Sequence, residues 1–197
     1  MKALVTGGAG FLGKHIIRRL VDADWDVVAV DPRLTAQVEK SEIEEYGDRV
    51  AWVPMNMELF RRKLMAGVIL HFGSHASPKD YMAYPDETMH ANSYGTFKCL
   101  TMARSYNVTA MFASTSEVYG EPLVHPQVET YYGNVNTTGP RSCYKESKRM
   151  GEAWCHVFKT TWDTSVRVPR IFNTYGPKMR IDDGRVVPEF IRRALLG

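Results

Sequence analysis

Cysteine, surplus charge and long apolar runs are what this sequence has least of, and each shortage closes a class. Three cysteines (Cys99, Cys143, Cys155) form an odd set with no CxxC spacing. They read as the reduced thiols of a cytoplasmic protein and exclude a disulfide frame or a cysteine zinc site. Six histidines include no HExxH. His71 and His75 are four apart but straddle a strand end, so no metal site is expected. Lys and Arg number 25 against 22 Asp and Glu, leaving +3, too little to argue for a nucleic-acid partner. Arg61, Arg62, Lys63 and the Arg192-Arg193 pair are short and separated and read as solvated faces. No apolar run approaches the ~20 residues of a membrane span. The N-terminus enters a strand pattern at once, so no signal peptide is expected. What remains is 197 residues, 44% hydrophobic, suited to one globular domain that buries roughly 70% of its unfolded surface.

Strand and helix patterns alternate along that length. Residues 2–6 (KALVT) read as a strand and 11–23 as a helix. Residues 26–30 (DVVAV) are nearly all apolar, as in a parallel strand covered on both faces. Residues 35–46 are polar and acidic, a surface helix; 49–53 and 67–71 are further strands. About a dozen residues join those two, barely enough for a crossover helix. A long helix is predicted over 85–106, with Met89, Phe97, Leu100 and Ala103 near one face, then a strand over 109–115. Residues 120–140, rich in Pro, Gly and Asn, form a long loop of the kind that is usually functional. A helix over 142–161 packs through Gly151, Trp154 and Phe158; a strand follows over 165–171 and a helix over 187–196. The fold class is α/β, a Rossmann-type doubly wound parallel sheet.

Between the first strand and first helix stands Thr6-Gly7-Gly8-Ala9-Gly10-Phe11-Leu12-Gly13, with Gly7, Gly10 and Gly13 three apart. A tight turn, a backbone bare enough to touch a pyrophosphate, and close packing of helix on strand need that spacing. The first N–H groups of the helix, with Phe11 and Leu12 beside them, then hold the phosphates. Asp31 ends the second strand, 31 − 13 = 18 residues after the last glycine, where a carboxylate meets ribose hydroxyls. The pattern predicts a dinucleotide, and the carboxylate selects NAD by repelling a 2′-phosphate. Arg33, two residues on, could soften that repulsion or be an ordinary solvated loop arginine.

The spacing YxxxK, a phenol and an ammonium one helical turn apart, occurs twice. Tyr94…Lys98 lies in the helix after the fourth strand, away from any strand end, and reads as a surface pair. Tyr144…Lys148 comes 144 − 115 = 29 residues after Thr115 of Ser114-Thr115-Ser116-Glu117, at the C-terminal end of the fifth strand, the edge where open α/β sheets bind ligands. Tyrosine ionises near pH 10. A cation ~5 Å away at an effective dielectric of ~20 lowers that by about two units, so Tyr144 is the expected base and Lys148 its tuner.

The glycine turn, Asp31, the strand-end Ser-Thr and Tyr144…Lys148 together resemble the extended short-chain dehydrogenase/reductase family of nucleotide-sugar enzymes. Residues 114–133, 141–148, 170–177 (RIFNTYGP) and 182–187 (DDGRVV) are similar to its branch that decarboxylates UDP-glucuronate to UDP-xylose. Related 4,6-dehydratases carry Asp-Glu after the threonine, where this chain has Ser116-Glu117, and 4-epimerases usually lack a glutamate there. The resemblance implies NAD as cofactor and UDP-glucuronate as small-molecule partner. It also implies a homodimer paired through the helices near 85–106 and 142–161. Thr115 and Tyr144 would hold the sugar C4 hydroxyl, Ser116 position the sugar, Glu117 assist decarboxylation, and Lys148 also hold the nicotinamide ribose. Asn173 and Arg185 match UDP-sugar contacts, and Asn56 stands where the family has an aspartate near adenine. Two departures are plain. Glu87 replaces a lysine expected to meet the substrate, and the sequence stops at Gly197, short of the family's C-terminal substrate-binding part. Residues 1–197 are therefore expected to be one NAD-binding domain with a truncated substrate lobe, 171–197 being its remnant. Another NAD-dependent UDP-sugar oxidation or epimerisation, or a non-catalytic NAD-binding module, are the competing readings.

Overall fold

A computed structural model describes residues 1–33 and 38–197. In chain order it contains β1 (Lys2–Thr6), α1 (Phe11–Asp22), β2 (Asp26–Val30), α2 (Lys40–Tyr46), β3 (Val50–Val53) and β4 (Val68–His71). Three helical segments follow, α3 (Pro78–Ala83), α4 (Pro85–His90) and α5 (Thr96–Tyr106), then β5 (Thr109–Phe112) and β6 (Ser114–Thr115). The chain closes with α6 (Ser142–Trp162), β7 (Val166–Arg167), β8 (Arg170–Ile171) and α7 (Val186–Leu196).

Among the described residues, six strands form a parallel sheet in the order β3-β2-β1-β4-β5-β7. Strand order reverses beside β1, so the crevice above the C-terminal ends of β1 and β4 is the topological switch point where such sheets bind ligands. The sheet is buried on both faces because successive side chains alternate. Leu4, Val28, Val30, Ile69 and Phe112 join Leu100, Ala103 and Phe158 of α5 and α6 on one side. Val5, Val27 and Ala29 join Ile17 of α1 and Tyr46 of α2 on the other. Each fully buried aliphatic side chain contributes about 1.5–3 kcal/mol, which is why β2 reads as a continuous apolar run.

The structure departs from the sequence expectations in five places. The β3–β4 connection holds no α-helix, only a short 3₁₀ turn at Met57–Leu59; so few residues cross over without one. The strand expected over 109–115 divides after Phe112. β5 stays in the main sheet, while β6 pairs with β8 in a two-stranded sheet. Residues 165–171 divide likewise around Pro169, which cannot donate a ladder hydrogen bond. The helix over 85–106 is interrupted by a π turn at Ala91–Gly95, and Met89 and Phe97 lie exposed while Leu100 and Ala103 are buried. The short helix α3 was not expected, although Ser77 caps it by accepting from Asp80 N (3.3 Å) and Pro78 occupies its first turn, a standard start signal. Of the surface helix expected over 35–46, residues 35–37 lie outside the described ones and Lys40–Tyr46 is helical.

Candidate active site

The glycine turn is built by close approach. Gly7 has φ +70, a left-handed conformation that glycine adopts without a Cβ penalty. Its N–H donates to Val30 O (2.9 Å) and its carbonyl accepts from Gly10 N (3.0 Å). A Cβ on Gly13 would stand 2.0 Å from that carbonyl, so only glycine lets α1 start this close to β1. α1 has no side-chain cap and no acidic residue in its first turn, which leaves its first N–H groups for an anion. Asp31 is buried, with one carboxylate oxygen accepting from Ala9 N (3.1 Å) and the other from Arg33 N (2.9 Å). The Arg33 side chain reaches the same carboxylate at 3.9 Å.

His71 ties the two strands that flank the switch point. Its Nε2–H donates to Ala91 O (3.1 Å), leaving Nδ1 to accept from the Thr6 hydroxyl (2.5 Å), which accepts from Gly73 N (3.0 Å). Burial, then the Lys148 charge, pull its pKa down to about 3. It is a neutral relay with both ring nitrogens occupied.

On the other side of the crevice, β6 and α6 bring Thr115, Tyr144 and Lys148 together. All three are buried and line one cleft of about 950 Å³ with Gly7, Gly10, Phe11, Leu12 and Gly13. Lys148 Nζ donates to Ala113 O (2.7 Å) and lies 5.9 Å from the Tyr144 ring centre. The expectation that this ammonium lowers Tyr144 is not met. Burial dominates and raises the Tyr144 pKa, with the Thr115 hydroxyl and Arg185 opposing it. Burial also brings Lys148 itself down to about 7, so the tuning charge is itself weakened. The phenol lies flat on Tyr81, ring centres 4.7 Å apart and planes 9° from parallel.

Glu117 lies in the 3₁₀ turn Ser116–Tyr119 after β6, its N–H donating to Thr115 Oγ1 (3.2 Å). Its carboxylate faces two cations, Arg141 at 3.6 Å and Lys145 at 3.8 Å, neither of which the sequence reading singled out. Ser116, Asn173 and Arg185 line the same cleft, with Arg185 gripping Asp183 through two bonds (2.5 and 3.0 Å). Asp31, Arg33 and Asn56 line a second cleft of about 600 Å³, which shares Gly7, Arg33 and Ser74 with the first. The predicted residues therefore fall along one continuous crevice. Glu87 pairs with His75 (3.3 Å) at the edge of the smaller cleft. Tyr94 and Lys98 also line that cleft, Tyr94 being 64% exposed. Sequence reasoning missed Tyr81 because α3 was not recognised. It also missed Asn92, whose amide donates to Ser147 Oγ (3.0 Å), because nothing in the pattern signals the π turn that turns it inward.

Known proteins resemble this chain in sequence and in fold. UDP-glucuronic acid decarboxylase 1 of Xenopus tropicalis is 41% identical over 203 residues, taking in 100% of this chain and 46% of that protein. UDP-glucuronic acid decarboxylase 4 of Arabidopsis thaliana is 41% identical over 201 residues, 99% of this chain and 44% of that protein. The chain thus spans about half the length of the curated relatives it matches. Among solved structures, the UDP-glucose 4-epimerase of Thermotoga maritima with UDP-glucose superposes with TM-score 0.83 at 26% identity, over 100% of this chain and 63% of that one. The UDP-glucuronic acid 4-epimerase of Bacillus cereus, solved with UDP-glucuronic acid and NAD, gives 0.76 at 25%, over 92% and 60%. Residues 3–197 match the NAD dependent epimerase/dehydratase family, and with the glycine turn, the strand-end threonine and the tyrosine–lysine pair on one crevice, the chain belongs to that family.

Proposed function

We propose that this chain binds NAD and carries the catalytic residues of a UDP-glucuronate decarboxylase. The observation that carries the reading is the convergence of Thr115, Tyr144 and Lys148 on the cleft that also holds the glycine turn. Identity to UDP-glucuronic acid decarboxylases supports the choice of substrate, and Ser116-Glu117 after the threonine supports it again. The crevice fits a dinucleotide: Gly7 and Gly10 present bare backbone to it, and the buried Asp31 carboxylate stands at the end of β2 for a ribose. Asn56 would lie on the adenine side, Arg33 near the ribose, and Phe11 and Leu12 beside the pyrophosphate. Residues 1–197 form the NAD-binding domain in this reading, and 171–197 begin the substrate side with Asn173 and Arg185.

When bound, NAD supplies a hydride acceptor that later returns the hydride. Tyr144 Oη, with Thr115 beside it, takes the proton of the sugar C4 hydroxyl as that carbon becomes a ketone. The C6 carboxylate is then β to the ketone, so the C5–C6 bond breaks, CO₂ leaves and its electron pair rests in the enolate. C5 then takes up a proton from solvent, and Glu117, positioned by Arg141 and Lys145, assists its delivery. Tyr144 returns its proton to O4 as C4 is reduced again, and the product would be UDP-xylose. Lys148, on the same cleft, would hold the nicotinamide ribose. Exposed apolar side chains on the helices at 85–106 and 142–162, Met89, Phe97, Met150 and Val157, support pairing of two copies there.

Incubating the protein with NAD and UDP-glucuronate and following CO₂ and sugar products by NMR tests the reading. UDP-xylose is expected. Accumulated ketosugar or an epimer points to the other oxidations that the solved epimerases represent, and unchanged substrate with bound NAD refutes turnover.

A further inference from the structure

The segment from Gly176 to Arg185 runs from β8 to α7 as a strap along the open side of the main cleft, and it is tied at both ends. At the first end, a Cβ on Gly176 would lie 3.6 Å from the Phe11 ring, and His15 Nε2 donates to Pro177 O (2.8 Å). Lys178 Nζ donates to one oxygen of Glu42 (2.7 Å) while Lys14 Nζ of α1 donates to the other (2.8 Å). At the second end, Arg180 grips Asp80 of α3 (2.8 and 3.0 Å), Lys79 meets Asp182 (3.3 Å) and Ser77 Oγ donates to Asp183 O (2.8 Å). Between the ties, Lys178, Met179 and Arg180 line the cleft with Gly10 and Gly13.

In the cofactor reading above, the pyrophosphate would rest on the first turn of α1, in the cleft that this strap lines. We propose that Glu42 is the pin of a clasp, closed by Lys14 and Lys178, that sets how long the dinucleotide stays bound; the inference rests on the cofactor reading above. The two ends differ in how they can fail. Three separate ties hold the α3 end, so loss of one leaves two. At the α1 end, besides the His15–Pro177 hydrogen bond, both charged ties meet on one carboxylate, largely hidden between its partners with 14% of its side chain exposed. Without its charge, Lys14 and Lys178 face each other as like charges and push the strap away. Burial works to raise the Glu42 carboxyl, but the two ammoniums outweigh it and hold it below the usual carboxylate range, so the clasp is charged at neutral pH.

The test is the dissociation rate of NADH from the loaded protein, followed by its fluorescence after a chase with excess NAD⁺. Glu42→Gln is expected to speed release about tenfold at low salt, since exposed pairs are weak singly but this change breaks two at once. Lys178→Gln is expected to speed it about threefold and to add little on top of Glu42→Gln. Salt should accelerate release from the wild type and hardly from Glu42→Gln. Glu45→Gln, on the same helix but paired with Arg18, keeps the wild-type rate. Release from Glu42→Gln that is unchanged, or slower because the freed ammoniums grip the pyrophosphate, overturns the clasp; so does equal acceleration by Glu45→Gln. A wild type that binds no NADH overturns the cofactor reading and the clasp together, and is seen before any variant is made.

Discussion

The chain carries one spacing twice, and its two copies live in different physical worlds. Tyr94 lies in the π turn of a surface helix, 64% exposed, with its ring against His90 (5.6 Å). Tyr144 is 6% exposed and stacked on Tyr81. Lys148 is 4% exposed, its ammonium on a backbone carbonyl and 4.8 Å above the Phe112 ring. A phenol and an ammonium taken out of water have their charged states penalised, so that a charge brought into the crevice has leverage over both. The spacing is therefore only a ruler; burial at the ligand-binding edge of the sheet is what gives it chemistry.

The harshest way to break the comparison is to remove the buried hydroxyl. Tyr144→Phe keeps the ring on Tyr81 and is expected to leave NAD binding intact. It should lower kcat for UDP-glucuronate by about 10³, within the usual range for loss of a positioned acid–base group. Steady-state kinetics beside an NAD titration checks both halves; a variant that turns over like the wild type removes Tyr144 from the mechanism.

Next in size is the buried cation. Lys148→Met is expected to cost about 10² in kcat and to change the pH dependence of stability in the cofactor-free protein. Burial holds Lys148 at about 7 in the fold against 10.5 for the free side chain. Between those values the unfolded chain binds the extra proton, so wild-type stability rises with pH from about 7. The rise is cleanest up to about pH 8.5; beyond that the thiols of Cys99 and Cys155, which burial keeps protonated in the fold, act in the opposite sense. Thermal melts across this window should show Tm climbing by about 3 °C in the wild type and staying nearly flat in the variant.

The contrast also explains how much could be read from the chain. β1 and β2 were legible residue for residue because a parallel strand buried on both faces shows as an apolar run bounded by turn residues. The glycine turn was legible because close approach forbids a side chain, as at Gly13. Tyr144 could be told from Tyr94 only through its distance along the chain from Thr115, a tertiary fact carried by strand order. What stayed hidden depends on contacts between segments far apart in sequence. The division of residues 109–115 into β5 and β6 is set by where Arg170 and Ile171 arrive to pair. The cations around Glu117, Arg141 just before α6 and Lys145 in its first turn, come 141 − 117 = 24 and 145 − 117 = 28 residues later. The direction of the Tyr144 shift is not legible in the sequence because burial dominates it, and burial is set by packing.

The gentlest test acts on the exposed copy. Tyr94→Phe and Lys98→Met line the smaller cleft, on the side of Asp31 and Asn56, but touch neither Thr115 nor the crevice near Tyr144. The double variant is expected to keep kcat within about twofold and stability within ~0.5 kcal/mol of the wild type, as surface changes do. Any effect should fall on NAD affinity alone, by a factor of about three or less. Kinetics at saturating NAD, compared with the same assay at limiting NAD, separates the two. A loss of kcat at saturation would mean that Tyr94 and Lys98 take part in the chemistry, and that burial does not divide the two copies.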